Sequence, residues 1–451
     1  MNRGLLAWAA LVVLPMASQS QELTWPPQLP GGQKMVTISA PNFLKGPADL
    51  KPGVQIAKTP PTVDFMYYDC QEQRPKGYLW SAWGDCLAVG NKCYSAIGDH
   101  GPIEGNAYVY EYDADKKELR QVVDVRKVLN LPSGHYTPGK IHSRIDMGSD
   151  GCIYFSTHRG STRTTTPANH YSGDWIFRYD PKTDKTEIVA HAPLPMQCMP
   201  ASVLDPERMI FYAGTQDGAN SKPPSFLAYD VKNRKLLYSN EDGPSRAMIL
   251  AKSTGRVYWN ETRGGPPRSG LGASQLVRFD PAKPGAPVPI DAELGLRAAS
   301  QESPDGKVYT ANGDNLWVFD TKTEKAEHLG PAVVGKNEYI ATMELDPKTN
   351  RYLYYIAGAH GGSHNDGSPL VQYDVKTKTR KVIAFLHPTC HEKYHFIPCG
   401  TYGVSVSPEG DKVYIVWNGN RDTPVGKATN RVKFDICGFM VVHVPESERQ
   451  P

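Results

Sequence analysis

Seven times along the 451-residue chain, a turn rich in Asp, Pro, Glu or Gly leads into a short apolar segment with a central tyrosine. These are Tyr94, Tyr154, Tyr212, Tyr258, Tyr309, Tyr355 and Tyr414, spaced 60, 58, 46, 51, 46 and 59 residues apart. A repeat of this length means that each copy is one supersecondary unit, stable only when stacked against its neighbours. A second signature interleaves with the first, an apolar segment ending in aromatic-Asp: Tyr112-Asp113, Tyr179-Asp180, Tyr229-Asp230, Phe279-Asp280, Phe319-Asp320 and Tyr373-Asp374. Several of these run into turns such as Pro181-Lys182-Thr183-Asp184, which reads as a hairpin between two outer strands. Each copy thus holds four antiparallel strands, and seven copies predict an all-β, seven-bladed β-propeller. A pair of β-sandwiches, or a ring of six or eight blades, is the alternative. The segment Val63 to Tyr68 is expected to add a strand to the last blade, closing the ring and hiding its edges.

The expected domains are residues 1–21 as a signal peptide, 22–62 as an N-terminal extension and 63–451 as the propeller. The first of these rests on Met1-Asn2-Arg3, the short apolar run from Gly4 to Met16 and the small residues after it. No later stretch approaches the roughly 18 apolar residues that span a bilayer. A secreted or periplasmic protein without membrane insertion is therefore expected, and a monomer. With 50 Lys+Arg against 47 Asp+Glu, the net charge of +3 argues against nucleic acid as partner.

Positions that recur in every copy are explained by packing, so Tyr229 and Tyr258 are read as scaffold. Exceptions to the repeat point to a site. Counting 12 residues back from the strand tyrosine reaches the start of the innermost strand, beside the central channel. There stand His142, Pro200, Arg246, Arg297 and, in the last copy, Tyr402. His158 ends the strand after His142, and His100 holds the matching place one copy earlier. Antiparallel neighbours bring these ends to one face, so His100, His142 and His158 are expected to cluster. A lone histidine there is ordinarily a packing residue; three with two arginines suggest proton transfer beside a bound carboxylate, as in an acidic-sugar site. Lys140, Arg144, Arg159 and Arg163 could add to the basic lining, and Tyr136 and Tyr171 are candidate phenolic acid/base groups.

A second constellation runs from His387 to Cys399, with two thiols and three imidazoles in 13 residues. His387, Cys390 and Cys399, with His395 or His391 as fourth ligand, would suit a structural zinc. A Cys390–Cys399 disulfide is the competing reading. Calcium is a further candidate ion, and Cys70 with Cys437 a candidate covalent closure of the ring.

In Gly139 to Ile145, Tyr154 to Arg159, Gly243-Pro244-Ser245-Arg246 and the His/Cys loop before Cys399-Gly400-Thr401-Tyr402-Gly403, the chain resembles the secreted seven-bladed polysaccharide lyases that degrade ulvan. It is similar, too, to propeller rhamnosidases that attack rhamnose linked to glucuronic acid. The resemblance covers most of the expected mature chain. It implies β-elimination at a uronate by paired histidines, an arginine and a tyrosine, with an acidic polysaccharide as substrate. His142, His158 and Arg246 match three of those roles by order and approximate spacing. The tyrosine does not carry over, since the nearest by spacing is Tyr229; Tyr402 or Tyr171 would replace it. His100, Arg297, Tyr171 and Arg159 are then the expected substrate contacts. Hydrolytic release of rhamnose, or glycan binding without catalysis, is the alternative.

Overall fold

The computed structural model describes residues 27–70, 81–99, 101–261, 271–421, 434 and 436–450. Seven antiparallel sheets follow one another as blades around a ring. Their innermost strands, blades one to seven in order, are Leu87–Val89, Asp146–Met147, Gln197–Asp205, Ile249–Ala251, Ala298–Ala299, Ile340–Leu345 and Ile397–Val406. The repeated tyrosine lies on the second strand of each blade, and the aromatic-Asp pair ends the third strand of blades one to six.

Local chemistry accounts for the recurring aspartate. Asp113 Oδ1 accepts the backbone N–H groups of Asp115 and Lys116. Asp320 does the same for Lys322 and Thr323, and Asp374 for Lys376 and Thr377. A short carboxylate folded onto the amides two and three residues on defines the tight turn. Its fourth residue then takes the left-handed conformation at Lys117, Asp184, Arg234, Glu324 and Lys378.

The two sequence signatures meet each other across blade boundaries. Tyr94 of blade one lies 6.4 Å from Tyr179 of blade two, Tyr212 of blade three 6.1 Å from Phe279 of blade four, and Tyr258 of blade four 5.0 Å from Phe319 of blade five. Tyr414 of blade seven reaches Tyr112 of blade one at 6.0 Å. All four contacts are edge-on or tilted, the geometry in which an aromatic pair adds about 0.5–1.5 kcal/mol beyond its buried area. The apolar clusters accordingly lie between blades; one joins Tyr212, Phe226, Trp259, Phe279, Trp317 and Phe319 from blades three to five.

The ring closes as expected by strand addition. Thr62–Tyr67 pairs with Ile436–His443 as the fourth strand of blade seven, and Val36–Ser39 adds a fifth. Asp64 rivets the seam, accepting from Thr37 at 2.6 Å and pairing with His443 at 2.8 Å and Lys117 of blade one at 3.3 Å. Burial works to raise Asp64, but His443, Thr37 and Lys117 outweigh it and hold the carboxyl at about 2. A second N-terminal strand, Gln55–Ile56, runs parallel to Thr379–Phe385 of blade six. The expected signal peptide lies outside the described residues.

Cysteine pairing departs from expectation. All eight cysteines are buried and none is in a disulfide, so neither a Cys70–Cys437 nor a Cys390–Cys399 bond is present. Hydrogen-bonded strand pairing closes the ring without a covalent link.

Candidate active site

The axial channel opens into a small cavity to which all seven blades contribute. Its lining includes Trp83, His142, Arg246 and Arg297, each just before the start of an innermost strand, and Tyr402, within the innermost strand of blade seven. Counting back from the repeated tyrosine therefore located four of these five. The structure brings His142, His158, Arg246, Arg297 and Tyr402 together as the sequence suggests.

Hydrogen bonding fixes the protonation of His142. Arg246 Nη1 donates to its Nε2 at 2.7 Å, and its Nδ1 lies 2.8 Å from the Pro200 carbonyl oxygen. A guanidinium only donates and a carbonyl only accepts, so the imidazole is neutral with the proton on Nδ1. Burial, reinforced by the charges of Arg246, Lys140 and Arg297, holds its pKa well below the ordinary histidine value. His158 is set up in the same way. Its Nδ1 donates to the Arg159 carbonyl at 2.6 Å, and burial with Lys140, His142 and Arg159 nearby drives its pKa well down. The two rings are 5.2 Å apart. They differ in one respect: Nε2 of His142 is occupied by Arg246, whereas Nε2 of His158 has no hydrogen-bond partner among the described residues.

The opposite wall is aromatic. Tyr402 packs 4.8 Å from Trp83, and its buried hydroxyl has no hydrogen-bond partner among the described residues. Burial raises its pKa, so it is a phenol that can donate. Arg297 lies 4.7 Å from the centre of the Tyr339 ring and 5.7 Å from that of Tyr402. Its Nε donates to the Tyr339 hydroxyl at 2.5 Å, and its Nη2 is buried without a partner among the described residues.

Below this layer the charges change character. Arg144 lies 3.9 Å from Asp85, 3.5 Å from Asp146 and 3.9 Å from Glu344, carboxylates contributed by blades one, two and six. Burial raises the pKa values of Asp85 and Glu344, which Arg144 counteracts.

Other expected site residues stand elsewhere. Tyr171 does not line the cavity: it is buried beside Tyr136 at 4.8 Å, and both hydroxyls point to Asp174. The Asp174 carboxyl, enclosed by this network, is pushed up by burial to about 7. Arg159 is buried too, donating to Cys198 Sγ and the Asp217 carbonyl. Arg163 is exposed, and His100 lies outside the described residues.

The expected zinc loop folds instead as a helix, Leu386–Tyr394, with Pro388 in the first turn, where its missing N–H costs nothing. His387 and His391 stack one helical turn apart at 5.4 Å, while Cys390 faces the core of blade seven. His395 caps the helix in the left-handed conformation, and Cys399 lies on the following strand with its Sγ 3.2 Å from the Ile397 carbonyl. Among the described residues no three His, Cys, Asp or Glu side chains form a group that could hold zinc or calcium.

The count itself passes over four rim residues, of which only Lys140 was expected, as part of the basic lining. Lys140 places its Nζ 4.6 Å from the centre of the Trp83 ring. His360 sits 4.3 Å from Tyr339 and 5.8 Å from Tyr402. In blade one the count lands on Ala82, one residue before Trp83. In blade six it lands on Met343, four residues past Tyr339, because the longer hairpin there pairs Tyr355 with Met343 itself, where blades three and four pair the tyrosine with a residue nine back, and a one-residue bulge between Ile340 and Met343 adds to the shift. His360 follows the second strand of blade six as His158 follows that of blade two, so the same end-of-strand search would have found it.

Fold and rim together define the chain as a seven-bladed β-propeller with a cationic axial cavity. No protein-family model matches the sequence, and neither does any curated protein. Among solved structures the chain is similar to U3-55K at 9% identity and a TM-score of 0.45, over 82% of this chain and 97% of that one. It is similar also to the RRP9 WD40 repeats at 8% identity and 0.46, over 83% and 96%. A chain of the mitotic checkpoint complex matches at 10% identity and 0.43, over 99% and 100%. Each is a likeness of fold. No described helix is long and apolar enough to cross a membrane.

Proposed function

We propose that this protein is a polysaccharide lyase that cleaves a uronic-acid-containing, ulvan-like polysaccharide by β-elimination in the axial cavity. The observation that carries the reading is a neutral imidazole, His158, whose Nε2 has no hydrogen-bond partner among the described residues, 5.2 Å from the His142 ring that Arg246 holds, with Arg246 and Arg297 both lacking a carboxylate partner among the described residues.

Arg246 and Arg297 would hold the uronate carboxylate and stabilise negative charge as the C5 proton leaves. His158 Nε2 takes that proton. The electron pair of the C5–H bond forms the C4–C5 double bond, the bond from C4 to the glycosidic oxygen breaks, and the Tyr402 hydroxyl supplies the proton this oxygen requires. His142, its own Nε2 engaged, acts as a positioning residue that orients Arg246. Hydrolysis by paired carboxylates is less well supported, because the carboxylates nearest the cavity are gathered around Arg144.

The test is incubation of the purified protein with ulvan, rhamnogalacturonan, gum arabic and glycosaminoglycans, following ultraviolet absorbance and product mass together. A conjugated unsaturated uronate at the new chain end is expected on at least one substrate. Saturated sugars alone, or no product from any of them, would overturn the proposal.

A further inference from the structure

The count along the innermost strands lands on Pro200 in blade three, between His142 of blade two and Arg246 of blade four. Proline offers no polar side chain there, but its backbone does. Met199 and Pro200 form a bulge between the pairs Cys198–Gln216 and Ala201–Gly214, which releases their backbone groups from the ladder of blade three. The Pro200 carbonyl takes the Nδ1 proton of His142 at 2.8 Å, and the Met199 N–H donates to the Thr157 carbonyl at 3.2 Å. The missing N–H of proline costs nothing at a bulge. Thr157 directly precedes His158, so one short segment of blade three holds both histidines.

The strand end that carries His158 is fixed from other sides as well. The ladder between the second and third strands of blade two stops at the pair Ser156–Ile176. Beyond it, Thr157 Oγ1 accepts the Trp175 N–H at 3.1 Å and donates to Asp174 at 2.9 Å. Asp174 receives the hydroxyls of Tyr136 and Tyr171 too, and its N–H donates to the Gln197 carbonyl of blade three at 2.9 Å. The Arg159 carbonyl takes the Nδ1 proton of His158, while its guanidinium reaches back to Cys198 Sγ and the Asp217 carbonyl of blade three. Thr157, Arg159 and Asp174 are buried, and none lines the axial cavity. A carbonyl that accepts at Nδ1 keeps the proton there and leaves the lone pair on Nε2, so the direction of the Arg159 carbonyl decides which nitrogen His158 presents.

Resting on the lyase reading for what the two imidazoles do, we infer that residues 197–200 of blade three are the positioning element of the site. Pro200 orients the ring of His142. Arg159, anchored on Cys198 and Asp217, sets the tautomer and the ring of His158, and Asp174 locks Thr157 behind it. Arg159 is thus a positioning residue rather than the substrate contact that its place in the chain suggests. A displacement of about 1 Å at a reacting atom is enough to cost about 10²-fold in rate, so loosening this anchor acts on turnover and not on binding.

The experiment pairs kinetics on ulvan with nitrogen NMR of the full chain labelled with ¹⁵N in its histidine rings, the His158 signals being assigned by their loss in His158→Ala. Wild-type His158 is expected to show a protonated Nδ1 and a bare Nε2 at neutral pH. Arg159→Met should lower kcat by about 10–10²-fold with KM within about twofold, and turn the His158 signals into a mixture of tautomers. Arg159→Lys, which still donates to the Asp217 carbonyl, should recover part of both effects. Should Arg159→Met not fold, Cys198→Ala removes only the sulfur acceptor and is expected to move both readouts the same way by about 3–10-fold in kcat. A raised KM with kcat unchanged would make Arg159 a substrate contact and overturn the inference. So would a wild-type tautomer in the variant, whatever its rate. Failure of the lyase reading appears separately, as no unsaturated product from the wild type, and the ring-nitrogen spectra still decide the positioning.

Discussion

The upper and lower layers of the axial channel use the same kinds of charged side chain and arrange them in opposite ways. In the lower layer Arg144 has three carboxylates within 4.0 Å, from blades one, two and six. In the upper layer Arg246, Arg297 and Lys140 face neutral imidazoles, phenols and an indole. A charge balanced by its own protein ties blades together; a charge left unbalanced at the mouth is available to a ligand. The contrast separates scaffold from site along one axis.

The largest effect is expected where the lower layer is broken. Arg144→Met would strand Asp85, Asp146 and Glu344 in the channel and lower stability by about 3–5 kcal/mol, read as a shifted midpoint in urea. Arg246→Met should instead leave the midpoint within about 1 kcal/mol and cut elimination by about 10²–10³-fold. Equal stability losses in the two variants would erase the distinction. Between blades, Tyr258→Leu removes the ring that meets Phe319 and the hydroxyl bonded to Glu324, and is expected to cost about 2 kcal/mol with turnover intact. The seam offers a pH-dependent effect of similar size. Asp64 is depressed from its ordinary 3.8 to about 2, so its contribution is complete above pH 4 and is lost as pH falls toward 2. Asp64→Asn should flatten that part of the acid-unfolding curve by about 2 kcal/mol.

Much of the scaffold was legible because the repeat is enforced by contacts. Tyrosine and aromatic-Asp recur since each packs on the other across a blade boundary, and the Asp closes its own turn. The rim was legible where the innermost strand is regular, as at His142, Arg246 and Arg297. It was lost where a longer hairpin and a bulge shift the count, as at Tyr339, and where the chemistry sits one residue outside the counted position, as at Trp83; Lys140, two residues before His142, was legible only as part of the basic lining. Tyr171 was misplaced because chain order put its loop near the rim, while Tyr136 and Asp174 hold it in the core. The His/Cys cluster carried ligand types without their placement: a helix divides His387 and Cys390 between a histidine-lined face and the core.

The central claim is that His158 is the base of an elimination. Its most direct test follows the unsaturated uronate formed from ulvan by the wild-type protein and by His158→Ala, with folding of both verified by thermal melts. The account predicts an unsaturated product whose rate of formation falls by about 10²–10⁴-fold in the variant. An unchanged rate in His158→Ala, or only saturated products from the wild type, would contradict it.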